Sequence, residues 1–323
     1  MNNKVFVLIA LFTCIGLLQT GFSAGQLERS VTLQFRGVIQ QNPMSSDLNA
    51  IWIQNVVADF LSKDQQAIVQ NMLNGGIEYV FVQVGNWHQS SAGVVSIDYW
   101  LNTSVMENIV NSIHSYSNNQ IQVHAWIFWS IPESQGGVML NLADSGIRQQ
   151  CVDVAVNCVQ TYGFDGFNDD LFEGYDGSDA DYVIFANALG VAMRNINKIS
   201  SVDLYSPWNG EGFDNGYEPV YSGITEIDYI CVMLYGGWAD GQWNEGNTLF
   251  NLNRALAASG TKLLAGVMVT REPNGFTLTD ILSWIEYPTS SKFAGVALFN
   301  LLYMQNDDWN ALSDWVISNQ SPI

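Results

Sequence analysis

The chain has 323 residues and a formal net charge of -20 at pH 7, with only 11 lysines and arginines. This balance excludes a nucleic acid as a partner, because binding a phosphate backbone requires clustered cationic side chains. Hydrophobic residues make up 48% of the chain, so it can bury a large core.

The N-terminus has the layout of a secretory signal peptide. Lys4 supplies a positive charge ahead of the apolar run from Val5 to Leu18, and small residues surround Ala24. The run is short for a membrane-spanning helix, and no later run is long enough for one. We therefore expect residues 1–24 to be removed, the protein to be secreted or on the cell surface, and the mature chain to have no membrane span. An uncleaved membrane anchor is the alternative.

Residues 25–49 form a predicted N-terminal extension. The alternation in Val31–Gln40 predicts a strand or hairpin. We expect the extension to pack on the floor of a single domain that occupies residues 50–323, because no linker divides off a second domain.

From residue 50 onward, short apolar runs alternate with patterns of helical spacing that end near glycine or asparagine. Eight of the runs are predicted strands. They are Ala50–Asn55, Tyr79–Val84, Gln122–Phe128, Phe164–Asp170, Val202–Pro207, Asp228–Leu234, Lys262–Val269 and Gly295–Phe299.

Alternating strands and helices imply a parallel sheet with right-handed crossovers. Eight such units predict an α/β fold, the (β/α)₈ TIM barrel. The alternative is a doubly wound open sheet. It would need a phosphate-binding glycine loop after the first strand, and residues 55–57 provide none.

The most informative segment is the end of the fourth predicted strand. Asp169 and Asp170 end the strand, and Glu173 follows closely. The C-terminal ends of the strands carry the chemistry in barrels of this type, and paired carboxylates are the usual catalysts of glycosidic bond hydrolysis. The sequence therefore predicts a glycoside hydrolase with a carbohydrate substrate. The alternative for the two aspartates is a capped loop or a cation site.

Two motifs resemble glycoside hydrolase family 18, the chitinase and endo-N-acetylglucosaminidase family. Asp165–Phe172 (DGFNDDLF) is similar to the family's Asp-Gly-x-Asp-x-Asp-x-Glu on the fourth strand. The sixth predicted strand, which contains Met233 and Tyr235, resembles the family's strand that ends in Met-x-Tyr. The order and spacing of the strands suit the whole mature chain.

The chain departs from the first motif at two positions. Asn168 stands at the middle aspartate, and Phe172 stands at the acid glutamate, with Glu173 one residue later. The resemblance implies that Asp170 orients the substrate's 2-acetamido group, that Tyr235 donates a hydrogen bond to the acetamido oxygen, and that Glu173 is the acid. One residue along a strand is the opposite face, so Glu173 reaches the site only if the chain has left the strand or a bulge turns it.

A second assignment needs no acetamido group. Glu272 follows the seventh predicted strand and would be a nucleophile, with Asp169 or Glu173 as the acid about 5 Å away. The neighbouring Arg271 would keep Glu272 ionised. A surface loop with an Arg–Glu pair is the alternative for these two residues.

The sequence also predicts a sugar-binding rim. Tryptophans follow several predicted strand ends, where their rings would stack on pyranose faces, and an asparagine and a glutamate after the fifth strand would bond hydroxyl groups. The predicted substrate-binding residues are Trp87, Trp129, Trp208, Asn209, Glu211 and Trp238. No organic cofactor is implied, and the three histidines lack metal-ligand spacing, so no metal is expected.

Two other functions are open. A carbohydrate-binding barrel that has lost its acid would resemble chitinase-like lectins, and Phe172 supports that reading. A surface-layer or scaffold barrel would have no deep groove. The direction of the Glu173 carboxylate separates the first of these from an enzyme.

Overall fold

The computed structural model describes residues 49–130, 138–171, 174–205, 218–233, 258, 260–269, 277–285 and 293–319. The signal segment and the extension predicted before residue 49 lie outside this description. The strands of the described residues are β1 Asn49–Ile53, β2 Ile77–Gln89, β3 Val95–Tyr99, β4 Gln122–Ser130, β5 Leu140–Asn141, β6 Gly166–Asp170, β7 Tyr175–Asp176, β8 Ile199–Tyr205, β9 Tyr229–Met233, β10 Lys262–Met268 and β11 Phe293–Phe299.

Eight parallel strands close into a barrel, which confirms the predicted TIM barrel. Their order is β1, β11, β10, β9, β8, β6, β4 and β2, and β1 also pairs with β2 to close the ring. The fourth predicted strand is therefore β6, the fifth is β8 and the sixth is β9.

Helices follow most of the barrel strands. They are α1 Gln65–Asn74, α2 Thr103–Ser117, α3 Ser145–Tyr162, α4 Asp179–Asn195, α5 Glu218–Gly223, α6 Leu278–Trp284 and α7 Asn306–Asn319. The helix ends carry the capping residues that are typical of such ends. Asp144 caps α3, whose C-terminus is Gly163 with φ of 76°, and a capping box of Ser178 and Asp181 starts α4.

The strands divide their side chains between two apolar layers, because successive residues of a strand point to opposite faces. One layer fills the space between the sheet and the helices. The other fills the barrel interior with aromatic and small residues. Its buried members are Ala50, Trp52, Tyr79, Phe81, Trp126, Tyr229, Cys231, Leu264, Ala294 and Ala297.

Three strands were not predicted from the sequence: β3, and the pair β5 and β7, which forms a separate two-stranded sheet. β2 continues to Gln89, beyond its predicted end at Val84, and its last part pairs with the antiparallel strand β3. Gly85 permits this pairing, because a side chain there would overlap the backbone carbonyl of Asp98. β3 thus pairs with β2 beyond the residues that pair with β1, at the C-terminal end of the strand.

Among the described residues, no helix is both long enough and apolar enough to cross a bilayer.

Candidate functional site

The end of β6 divides its polar residues between the two layers. Asn168 and Asp170 face the barrel interior, where Asn168 contacts Ser201 and Asp203 of β8. Asp169 faces the helices instead. The alternation of a strand thus separates the two adjacent aspartates that the sequence analysis grouped together.

Asp170 lies at the C-terminal end of β6, with a side chain that is almost fully buried. The indole Nε1 of Trp126 donates a hydrogen bond to its Oδ2 at 3.2 Å. Burial raises the pKa of Asp170 well above its ordinary value, and the nearby Asp203 carboxyl raises it further, while the Trp126 N–H opposes the rise. The raised pKa extends to higher pH the range in which Asp170 is protonated and can donate a hydrogen bond as well as accept one.

Asp203 is a functional candidate that the sequence analysis missed. It lies on β8 and is buried, and its Oδ1 accepts a hydrogen bond from Asn168 Nδ2 at 2.9 Å. Burial raises the pKa of Asp203 to about 7, although the hydrogen bond from Asn168 and the polar groups of Cys231 and Trp52 nearby lower it. A charged residue at an inward position of a barrel strand was the signal in the sequence.

Asp169 lies between the sheet and α4. Trp87 Nε1 donates to its Oδ1 at 2.8 Å, and the hydroxyl of Tyr182 donates to its Oδ2 at 3.1 Å. Burial raises its pKa to about 7, against these two donors and the backbone N–H of Leu171. A carboxyl in this position ties the helix to the sheet and does not share the interior with Asp170.

Trp87 does not lie on an exposed rim, as the sequence analysis expected. Its side chain is fully buried, and its ring packs against Phe167 and Phe185. The unpredicted hairpin explains the difference, because Trp87 belongs to the part of β2 that pairs with β3.

The other predicted site residues fall outside what the structure describes. Trp129 lies in β4, but its side chain is not among the described ones. The remaining positions are Glu173, Trp208, Asn209, Glu211, Tyr235, Trp238 and Glu272. Among the residues that are described, no three His, Cys, Asp or Glu side chains form a group that could hold a metal ion.

Fold and site together define a (β/α)₈ barrel with an acidic interior at the C-terminal ends of its fourth and fifth strands. This is the end of the barrel where enzymes of this fold carry their active sites.

Solved structures of chitinases and chitinase-like inhibitors have the same fold. The catalytic domain of a family GH18 chitinase from the fern Peteris ryukyuensis matches with a TM-score of 0.59 and 16% identity, over 84% of this chain and 98% of that chain. A chitinase from Bacteroides thetaiotaomicron matches with a TM-score of 0.55 and 14% identity, over 86% and 98%. A xylanase-alpha-amylase inhibitor protein in complex with trehalose matches with a TM-score of 0.56 and 17% identity, over 84% and 98%.

No protein-family model matches the sequence, and no curated protein matches it either. At these identities the structural likeness establishes the barrel of GH18 chitinases as the fold, and that fold serves both chitinases and inhibitors.

Proposed function

We propose that the protein is a secreted glycoside hydrolase that acts on a polysaccharide or glycan bound at the C-terminal mouth of the barrel. One observation carries this proposal. Asp170 ends the fourth barrel strand, faces the interior, and is held there by the indole of Trp126. A carboxyl with a raised pKa in that position can orient a polar group of a sugar, by donating a hydrogen bond when it is protonated and by accepting one in either state.

The remaining roles follow the motif resemblance. Glu173 would protonate the leaving oxygen, and Tyr235 would bond the acetamido oxygen of the substrate. In the second assignment, Glu272 is the nucleophile and Asp169 or Glu173 is the acid. The burial of Asp169 behind the sheet supports the first assignment over an acid at Asp169.

The rim residues complete the proposed groove. Trp129, Trp208 and Trp238 would stack on sugar rings, while Asn209 and Glu211 would bond hydroxyl groups. Trp87 has no part in this proposal, because its ring is buried.

A non-catalytic carbohydrate-binding barrel is the second candidate. Phe172 stands at the acid position of the motif, which supports a barrel that binds sugar without cleaving it. The inhibitor protein solved with trehalose has the same fold and supports the same reading.

The test is an assay of glycan turnover and glycan binding with a panel of labelled oligosaccharides. We expect Asp170→Asn and Glu173→Gln to lower turnover roughly 100-fold or more, because each removes a group that acts on the reacting sugar. Asp314→Asn, an exposed change on α7, is the matched control and should keep parental turnover.

Glu272→Gln separates the two assignments. The first assignment predicts that this variant keeps its turnover, whereas the second predicts a loss like that of Asp170→Asn, because the nucleophile has been removed. Binding without turnover in the parent would establish the second candidate. A parent that neither binds nor cleaves any glycan would contradict both.

A further inference from the structure

Asp169 is a carboxyl in an apolar layer, where it accepts hydrogen bonds from two separate elements. It is fully buried, and Phe167 and Leu171, which lie on the same face of β6, belong to the core between sheet and helices. Trp87 of β2 donates to one oxygen at 2.8 Å, and Tyr182 of α4 donates to the other at 3.1 Å. Both donors are fully buried, so each would lose a buried acceptor if the carboxyl were removed.

The chain that leaves β6 is held directly by Asp169. β6 ends at Asp170, and the next backbone N–H, that of Leu171, donates to the Asp169 carboxyl. The carbonyl oxygen of Leu171 in turn accepts from the backbone N–H of Gly174 at 2.6 Å. The carboxyl therefore fixes the point at which the chain turns away from the strand.

A second route reaches the same chain through α4. The ring of Tyr182 stacks on that of Tyr175 in β7, with centroids 5.4 Å apart and planes at 15°. β7 pairs with β5, and the carbonyl oxygen of Asp176 accepts from the backbone N–H of Leu142 at 2.7 Å. The residues Gly174–Asp176, called the anchored segment below, are thus held at their start by β6 and at their side by α4.

Strand β2 closes the circuit of contacts. The Oε1 of Gln89 accepts from the backbone N–H of Asn141 in β5 at 3.0 Å, and the carbonyl oxygen of Gln89 accepts from Val138 at 3.1 Å. Trp87 lies two residues before Gln89 on the same strand and donates to Asp169. The two-stranded sheet of β5 and β7 is therefore tied to β2 and to α4, and Asp169 bonds both of these elements.

The donors around Asp169 suit both forms of the carboxyl. An indole N–H can only donate, whereas a tyrosine hydroxyl can donate or accept. When Asp169 takes up a proton from solvent, the proton therefore binds to the oxygen that faces Tyr182, and the hydrogen bond to that hydroxyl reverses its direction. The negative charge is lost, but the contacts with Trp87 and Tyr182 are both kept.

The titratable groups that face Asp169 are few. They are the thiol of Cys151 on α3 and the hydroxyl of Tyr182 on α4, whose pKa values burial raises, and across the sheet the carboxyls of Asp170 and Asp203. None of the ion pairs among the described residues includes Asp169. Burial raises the pKa of Asp169 to about 7, so both of its forms occur near neutral pH.

We propose that Asp169 is a positioning residue, which holds the anchored segment against β2 and α4 in both of its protonation states. It acts through Leu171, Trp87 and Tyr182. The motif of the fourth strand leaves position 169 open, so this role belongs to the residue that this chain carries there. The consequence for catalysis rests on the proposed function: the segment follows the strand end that carries Asp170, so its position shapes one wall of the mouth.

The first test measures hydrogen–deuterium exchange of the complete protein at the backbone N–H groups of Gly174 and Leu142. Asp169→Leu removes both acceptors, and Tyr182→Phe removes one donor and folds even if the first variant does not. Each should raise exchange at the two groups about tenfold or more. Asp169→Asn should keep parental exchange, because its amide accepts from Trp87 and donates to Tyr182, as the protonated acid does.

Tyr79→Phe is the matched control for Tyr182→Phe. It removes another buried tyrosine hydroxyl, which bonds the hydroxyl of Tyr229 at 3.1 Å inside the barrel, and should leave exchange of the anchored segment at the parental rate. Parental exchange in Tyr182→Phe would overturn the proposal. So would an Asp169→Asn protein whose segment exchanges as fast as that of Asp169→Leu, because the neutral form would then fail to hold it.

The second test follows the indole N–H of Trp87 by NMR in protein labelled with ¹⁵N-tryptophan, with the resonance assigned by its loss in Trp87→Phe. In the parent the resonance should shift with pH around a midpoint near the pKa of Asp169. In Asp169→Asn it should stay at a hydrogen-bonded position and should not shift. The same pH response in parent and variant, or no response in the parent between about pH 5 and 9, would overturn the proposal.

The last test separates this proposal from the proposed function. In the glycan assay, Asp169→Leu should lower kcat/KM, and Asp169→Asn should recover much of that loss. A catalytic acid at position 169 predicts instead that asparagine is no better than leucine, and that result would overturn the positioning role. A parent that cleaves no glycan would contradict the proposed function, while the exchange and NMR results would still decide the role of Asp169.

Discussion

His124 shows how strongly the barrel interior acts on a single residue. Its ring lies 4.9 Å from that of Tyr79 and 5.5 Å from that of Phe81, measured between centroids. Gly166 provides the space, since a Cβ there would come within 2.7 Å of the imidazole. Neither ring nitrogen has a hydrogen-bond partner among the described residues, and burial lowers the pKa of His124 to about 3. The histidine is therefore neutral in the folded protein at any ordinary pH.

Because His124 stays neutral in the fold, we expect the folded protein to lose stability in acid. The unfolded chain binds a proton at His124 below its ordinary pKa of 6.5, whereas the folded chain does not until about pH 3. The stability that neutral His124 contributes is fully present above pH 6.5. As the pH falls from 6.5 to 4, the free energy of unfolding decreases by about 3 kcal/mol, because only the unfolded chain gains the proton. His124→Gln should remove this loss, as measured by denaturant unfolding of parent and variant across that range.

The same pair of curves contains its own control. At pH 8 the two proteins differ only by the packing change at position 124. As the pH falls, the free energy of unfolding of the variant should rise relative to that of the parent. Curves that stay parallel from pH 8 to 4 would mean that His124 is protonated in the fold.

The residues of the site were predictable to different degrees. Asp170 was predicted correctly, because the apolar run before it predicts a strand and a carboxylate at the end of a barrel strand indicates a site. Asp203 was missed because an isolated aspartate in a strand pattern gives no sign of its partner on the neighbouring strand, which is Asn168 of β6. The separation of Asp169 from Asp170 follows from strand alternation, but only once β6 is known to extend through both residues.

At the scale of elements, α4 is docked closely on the segment that leads into β9. Asn187 Oδ1 accepts from the backbone N–H groups of Thr225 and Glu226, and Arg194 donates to the carbonyl oxygen of Glu226. Gly190 lies between these two side chains on the helix, and a methyl group there would overlap the backbone of Glu226. The absence of a side chain at 190 sets the distance between helix and strand.

Gly190→Ala should therefore destabilise the protein, although alanine is the better helix former by roughly 1 kcal/mol. The free energy of unfolding should fall by roughly 2–3 kcal/mol, because the helix must move away from the backbone of Glu226 to make room for the methyl group. Chemical denaturation measures it. The matched control is Gly260→Ala, where a Cβ meets nothing within 4 Å and stability should change little. Equal effects at the two positions would contradict the close docking of α4.

The eight barrel strands were largely predictable, and the failure to predict the hairpin of β2 and β3 has a physical cause. Each barrel strand is an apolar run bounded by turn residues, so periodicity locates it. The hairpin of β2 and β3 was missed because Gly85 and Asn86 interrupt the apolar run, and this interruption indicates the end of the predicted second strand. In the structure the glycine instead allows the antiparallel partner to approach. The misplacement of Trp87 on the rim follows from that one error.

At the scale of the whole molecule, a single buried asparagine helps to close the barrel. Asn49 begins β1, one residue earlier than predicted, and is fully buried. Its Oδ1 accepts from the backbone N–H of Val296 in β11 at 3.0 Å, and its Nδ2 donates to the carbonyl of Gly75 at 3.0 Å. One side chain thus joins the first strand, the last strand and the turn that precedes β2.

Closure makes this contact matter to the entire fold, because strands that lose their partner at the seam expose the edges of the sheet. Asn49→Ala leaves a buried N–H and a buried carbonyl without partners, at a cost of about 1–3 kcal/mol for each group. We expect a fall of roughly 3 kcal/mol in the free energy of unfolding and a single cooperative transition, measured by thermal and chemical denaturation. Asn102→Ala, which removes the exposed N-cap of α2, is the comparison and should cost about 1 kcal/mol. If the two variants unfold alike, the seam is held by its backbone ladders alone and Asn49 has no special part in closing the barrel.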